Sequence, residues 1–224
     1  MKAIGNVLLS GLVQVVAVGL VLFLTAGTFN YWQAWVFLVV IAISTCAPSI
    51  YLLYTNPVAM QRRMRGGPTA EARLAQKAVM AGLYLSLVAM VVVSALDHRF
   101  GWSSVPTAIS LVGDVLVAVG LGVVVLVIIQ NNHAATTVRV EEGQTVVSTG
   151  LYGMVRHPMY TGNLIMMVGI PLAVGSYWGL VFVVAGLIVL ASRIRDEEKL
   201  LREELTGYRE YTQKVRYRLV PSMW

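Results

Sequence analysis

VLLSGLVQVVAVGLVLFLTAG, residues Val7–Gly27, contains no charged side chain and no proline. As a helix rising 1.5 Å per residue, a run of this length crosses the ~30 Å hydrocarbon core of a bilayer. It exceeds the ~7–15 apolar residues of a secretory signal, and more apolar runs follow it, so it reads as a first transmembrane helix. Those runs are Trp32–Tyr54, ended by Asn56-Pro57, then Lys77–Leu96, Pro106–Gln130, Met159–Val174 and Trp178–Ser192. The last two are short and are joined by Gly175-Ser176-Tyr177, which predicts a tight helical hairpin with a polar interior.

Composition agrees. The chain of 224 residues is 57% hydrophobic and 12% charged, against about 25% charged in soluble domains. The expected fold class is therefore an all-α integral membrane protein of about six transmembrane helices, with five as the alternative count. Residues 1–130 form the first four helices. Residues 131–224 form a second region comprising the hairpin and a cytosolic, amphipathic tail helix.

Charge is distributed unevenly. Lys2 is the only charged residue before Arg62, whereas eight basic and six acidic residues fall between Arg193 and Arg218. Arg62, Arg63, Arg65 and Arg73 sit in the second loop, and Arg139 and Arg156 in the fourth. With six spans and both termini in the cytoplasm, every basic loop lies inside, as the positive-inside rule requires. The same rule accounts for the net charge of +6, so nucleic acid is not an expected partner. Thirteen Arg against four Lys, with abundant Ala, Val and Gly, suggest a prokaryotic inner-membrane protein. The single cysteine, Cys46, excludes an internal disulfide and argues against a thiolate metal site; no metal is expected.

Smaller features qualify this plan. Thr137–Glu141 and Thr145–Val147 flank Glu142-Gly143-Gln144 and predict a short β-hairpin in the fourth loop. Asp114 lies inside the fourth run, where an ionisable residue is costly. Gly120 and Gly122 make a Gly-x-Gly without a preceding strand, which fails as a dinucleotide loop. Phe29, Tyr31, Trp32, Trp35, Trp102 and Trp178 form an interfacial aromatic belt.

Chemistry concentrates in the final third. GLYGMVRHPMYTGN spans Gly150–Asn163, RIRDEEKLL spans Arg193–Leu201, and LTGYREY spans Leu205–Tyr211. Pro158 suits the first turn of the fifth helix. That places Arg156 and His157 at a helix mouth whose free N–H groups favour an anion. Tyr160 and Asn163 are three apart and share a face, and Gly162 permits close approach. On the tail helix, Ile194, Leu201, Leu205 and Tyr208 make one apolar face. Glu197 and Glu198 fall on that face, and buried carboxylates need compensation, which a cationic ligand would supply. Arg193 and Glu197, at i and i+4, can meet.

Taken in order, Arg156-His157-Pro158-x-Tyr160-x-Gly162, Glu197-Glu198-x-x-Leu201, Gly207-Tyr208-x-x-Tyr211 and Pro221 resemble the isoprenylcysteine carboxyl methyltransferase family. The related phospholipid N-methyltransferases share the Pro-x-Tyr-x-Gly and Glu-Glu parts. The resemblance covers about residues 131–224. It implies an S-adenosylmethionine pocket at the cytosolic face and a tunnel for a lipid-like or prenylated substrate. By motif, Tyr152, His157, Tyr160, Gly162 and Asn163 would bind the cofactor, with Glu197 and Glu198 closing the site. Arg193 and Glu197 would be catalytic, Arg193 orienting a substrate carboxylate. Where members often have Phe-Gly before the tyrosines, this chain has Leu205-Thr206 and a displaced Gly207, and it has Leu151 where many have Pro. Three other readings stay open: a phospholipid N-methyltransferase, an NADPH enzyme like the sterol reductases, and a membrane carrier without catalysis.

Overall fold

The computed structural model of the chain describes residues 2–60, 74–133, 140 and 143–224. Its long helices are α1 (Lys2–Ala26), α2 (Trp32–Thr55), α3 (Leu74–Phe100), α4 (Thr107–Gln130), α5 (Pro158–Ala173) and α6 (Val181–Glu204), followed by the short α7 (Tyr208–Lys214). Single 3-10 turns cover Gly150–Gly153 and Trp178–Leu180. Among the described residues no strand occurs. Thr145–Val147 are irregular, and most of the other half of the expected fourth-loop hairpin lies outside the described residues.

This is an integral membrane protein. Five helices are long and apolar enough to cross a bilayer: Ile4–Ala26, Trp32–Thr55, Gln76–Phe100, Thr107–Gln130 and Trp178–Glu204. Large apolar side chains such as Leu12, Leu24, Ile43, Leu85, Val184 and Ile188 face outward. In water this belt would be costly, whereas in lipid it is solvated. With 16 residues, α5 is ~24 Å long, short for an independent span. Its start is nonetheless tied to the C-terminal tail, where the His157 amide donates to the Arg218 carbonyl. Its end accepts a bond from the Tyr31 hydroxyl at the Val174 carbonyl, 2.5 Å away.

Glycine explains how so short a helix holds its place. A β-carbon on Gly162 would lie 2.8 Å from the Gly120 carbonyl, and one on Gly169 would lie 2.8 Å from that of Gly113. The α4 and α5 backbones are thus in direct contact at two points seven residues apart on each helix. Small residues permit such approach in lipid, where helix association depends on close packing. α5 and α6 follow one another across the Gly175–Tyr177 turn, but α5 packs mainly along α4 and α6 mainly along α3, so the pair is not self-contained. Its interior is largely apolar, with Met167, Ile170, Ala173 and Val183 buried in the main core beside Phe37, Met90 and Val117.

The end of the chain differs from the expected separate tail helix. The last span runs unbroken into the charged segment, so Ile194 to Glu204 are its own extension. Gly207, at φ +84°, then turns the backbone through a conformation that a side chain would strain. Leu205 and Tyr208 therefore stand on either side of a break rather than on one helix. They are still buried together with Tyr211 and Val215, packed by Val140, Val146 and Leu201.

At the opposite end, Asp97 is 1% exposed and accepts bonds from the Ser103 amide (2.6 Å) and the hydroxyls of Ser103 (2.7 Å) and Ser176 (2.5 Å). It ties two turns together. Asp114 is buried on α4, about 25 Å from the charged end by helical rise, and takes no part in the site below.

Candidate functional site

At the charged end, the segment before α5 pairs with the tail. Arg156 and His157 donate their amides to the carbonyls of Tyr217 and Arg218 at 2.9 Å, and the Thr161 hydroxyl donates to Leu219 at 2.7 Å. The Arg156 side chain is buried. Its Nε donates to Glu198 Oε1 at 2.7 Å, and its Nη1 donates to the carbonyls of Val215 (3.0 Å) and Arg216 (2.8 Å).

Glu198 is therefore compensated by the protein itself. His157 Nε2 lies 3.3 Å from Oε1, Arg218 Nη2 3.1 Å from Oε2, and Arg202 Nη2 3.6 Å from Oε2. With a side chain only 4% exposed, Glu198 fastens the α5 mouth, the α6 extension and the tail together. It does not line the adjacent cavity. The cationic ligand expected to balance both carboxylates is not required for this one.

Glu197 is placed differently. It lines an open cavity together with Asn131, Tyr152, His157, Tyr160 and Tyr208, among others. The Tyr160 hydroxyl donates to Glu197 Oε2 at 2.5 Å and accepts from Arg193 Nε at 2.8 Å. Arg193 and Glu197 are thus joined through the phenol of Tyr160 rather than by the direct i, i+4 pair the spacing allows. His157 stacks on Tyr160 with ring centres 5.5 Å apart.

A second cavity adjoins the first. Its walls are mostly apolar, including Met80, Leu83, Leu87 and Leu190, with Asn163 and Arg193 as polar members. Met159 and Tyr160 belong to both cavities. The side chains of Tyr160 and Met159 therefore separate a polar chamber from an apolar one.

The residues singled out from the sequence divide accordingly. Tyr152, His157, Tyr160 and Glu197 line the polar chamber, while Arg193 and Asn163 line the apolar one. Gly162 faces α4, and Glu198 lies beneath the site. Asn131 and Gln76 had no motif to announce them. Asn131 Nδ2 donates to the Tyr152 hydroxyl at 3.1 Å, and Gln76 Oε1 accepts from Arg193 Nη1 at 3.0 Å. Both are polar residues ending apolar runs, a signal shared by any residue at a membrane interface.

Burial pushes the Tyr152 phenol up to about 12; the Asn131 bond opposes this and the Glu197 charge reinforces it. Tyr208 is likewise held well above the usual range by burial, with the charges of Glu198 and Glu197 adding to the effect. Both stay neutral donors at physiological pH. The Tyr208 hydroxyl is buried and makes no hydrogen bond with the described residues, a costly state that a bound partner would relieve.

These features suit a polar ligand carrying positive charge: the chamber combines aromatic and apolar walls, the carboxylate of Glu197 and the Tyr208 donor. Comparison with known proteins gives two kinds of partial match. Residues 108–206 match the phospholipid methyltransferase family model. The chain is also 30% identical over 93 residues to the Delta(14)-sterol reductase of Mus musculus, covering 39% of this chain and 22% of that protein. It is 32% identical over 82 residues to a probable 7-dehydrocholesterol reductase of Acanthamoeba polyphaga mimivirus, covering 35% of this chain and 18% of that protein. The chain thus matches about a fifth of the length of these curated relatives.

Proposed function

We propose that this chain is a membrane-embedded, S-adenosylmethionine-dependent methyltransferase whose acceptor is a lipid-like amphiphile, with a carboxylate as the methylated group. The observation that carries this reading is the pair of chambers meeting at Tyr160, polar on the Glu197 side and apolar on the Arg193 side. Such a junction brings a water-soluble co-substrate and a lipid tail to one point. The match of residues 108–206 to phospholipid methyltransferases supports the reaction class.

When bound, S-adenosylmethionine supplies a methyl group already activated on a sulfonium. Glu197, Tyr152, His157 and Asn131 would hold it in the polar chamber, the carboxylate of Glu197 complementing its positive charge. Arg193 would aim the head of the acceptor from the apolar chamber toward Tyr160. A carboxylate acceptor is ionised at neutral pH and needs no base, so alignment and exclusion of water supply most of the rate. With a phospholipid amine as acceptor, Glu197 would have to take up a proton; the buried cation Arg193 at the junction favours the acid.

The sterol reductase relatives support a second reading, an NADPH enzyme. Charge argues against it. Arg156 in the polar chamber is already committed to Glu198 and two carbonyls, and Glu197 would face a polyanionic ligand. Calorimetry on the detergent-purified protein decides between them: S-adenosylhomocysteine should bind and NADPH should not. Incubating membranes with methyl-labelled cofactor and extracting lipids then separates ester from amine products, since only the ester releases its label on mild base treatment. Both termini are placed in the cytoplasm under this reading, and terminal reporter fusions test that placement.

A further inference from the structure

Gln76 is fully buried, and its amide is engaged at both ends by the same helix. Its Oε1 accepts from Arg193 Nη1 at 3.0 Å, and its Nε2 donates to Asp196. Arg193 and Asp196 are three residues apart on α6, a spacing at which an acid and a base on one helix meet. The amide from α3 occupies the place where they would do so. One turn beyond Gln76, Met80 begins the stripe with Leu83, Tyr84 and Leu87 that lines the apolar chamber. Gln76 thus stands at the charged end of the α3 face that walls the acceptor space.

We propose that Gln76 is a positioning residue: wedged between Arg193 and Asp196, it holds the Arg193 guanidinium toward the apolar chamber and so sets the affinity for amphiphiles with an anionic head. The amide suits this work because it has one acceptor and one donor end. It offers oxygen to the guanidinium and N–H to the carboxylate, and adds no charge of its own. A glutamate here would neutralise Arg193 and repel Asp196. A leucine would leave a gap across which Asp196 could draw Arg193 along α6 and away from Tyr160. The residue lies outside 108–206, the part matched to the methyltransferase model, so the acceptor side of the site extends onto α3.

This inference rests on the methyltransferase reading. Its test uses the full chain in detergent with two probes: N-acetyl-S-farnesylcysteine, whose head is a carboxylate anion, and its methyl ester, whose head is neutral. S-adenosylhomocysteine binding is measured in parallel. Wild-type protein should bind the acid more tightly than the ester. Gln76→Leu should lose about tenfold in acid affinity and keep its affinity for the ester and for S-adenosylhomocysteine. Adding Asp196→Asn to Gln76→Leu should restore the acid, because the competing carboxylate is gone; a merely structural glutamine would show no such rescue. Unchanged acid affinity in Gln76→Leu, equal loss for acid and ester, or failure of the rescue each overturns the inference. So does a wild-type protein that binds S-adenosylhomocysteine without preferring the acid. Failure of the wild type to bind S-adenosylhomocysteine overturns the underlying reading instead.

Discussion

Arg156 Nε and Glu198 Oε1 lie 2.7 Å apart, linking the residue two before α5 to the extension of α6. Both side chains are at least 95% buried, so neither can fall back on water if its partner is removed. Breaking a buried pair from one side costs about 3–5 kcal/mol. Glu198→Ala leaves Arg156 and Arg218 facing each other without a counter-charge. The expected result is a fall of several degrees or more in the melting temperature in detergent, with Glu198→Gln intermediate. Thermal unfolding without any ligand checks this, and equal stability in all three proteins would remove Glu198 from the role of fastener.

Tyr160→Phe makes the complementary change. It keeps the ring, and hence the wall between the chambers and the stack on His157, but deletes the hydroxyl that joins Arg193 to Glu197. A hydrogen bond to a charged group is worth about 1.5–3 kcal/mol, so turnover should fall about ten- to hundredfold. The melting temperature should also fall, by less than in Glu198→Ala, because Arg193 keeps its bond to Gln76. Steady-state kinetics beside a melting curve separates the two effects.

The fold was legible where lipid dictates it. Val7–Gly27 and its successors have few alternatives to spanning helices, because backbone groups in hydrocarbon must be paired internally. His157, Tyr160 and Glu197 were legible from motif order, and they do converge. Glu198 could not be told from Glu197, because adjacent residues share composition and exposure pattern while facing different partners. Gly162 reads equally well as a ligand cradle or a packing point; only the position of the Gly120 carbonyl distinguishes them. The break at Gly207 is hidden in the sequence because the apolar spacing through Leu205 and Tyr208 continues across it. Gln76 lay beyond reach, since its partners Arg193 and Asp196 are more than a hundred residues away in sequence.

Gly162 yields a prediction that distinguishes packing from binding. A β-carbon there would meet the Gly120 carbonyl at 2.8 Å and the Val123 side chain at 3.1 Å. Gly162→Ala should therefore lower the melting temperature, because the α4–α5 seam must open by some tenths of an ångström; overpacking of this kind typically costs about 1–3 kcal/mol. A residue that only touched the cofactor would leave the ligand-free melting temperature alone. Melting the variant with and without S-adenosylhomocysteine tells the cases apart: the packing role lowers both curves by a similar amount.

Tyr208 gives the sharpest contrast, because stability and binding should move in opposite directions. Its hydroxyl is buried without a hydrogen bond to any described residue, and an unsatisfied buried donor costs about 1–3 kcal/mol. Tyr208→Phe removes that cost while preserving the ring packed among Leu205, Tyr211 and Val215. The ligand-free protein should melt at the same or a higher temperature. If the hydroxyl is kept for a ligand in the polar chamber, the same variant should bind S-adenosylhomocysteine about tenfold more weakly, the equivalent of ~1.4 kcal/mol. Calorimetric titration of the two proteins gives the comparison directly. Equal affinity would mean that the phenol serves packing alone, and the polar chamber would then have to recognise its ligand through Asn131, Tyr152, His157 and Glu197.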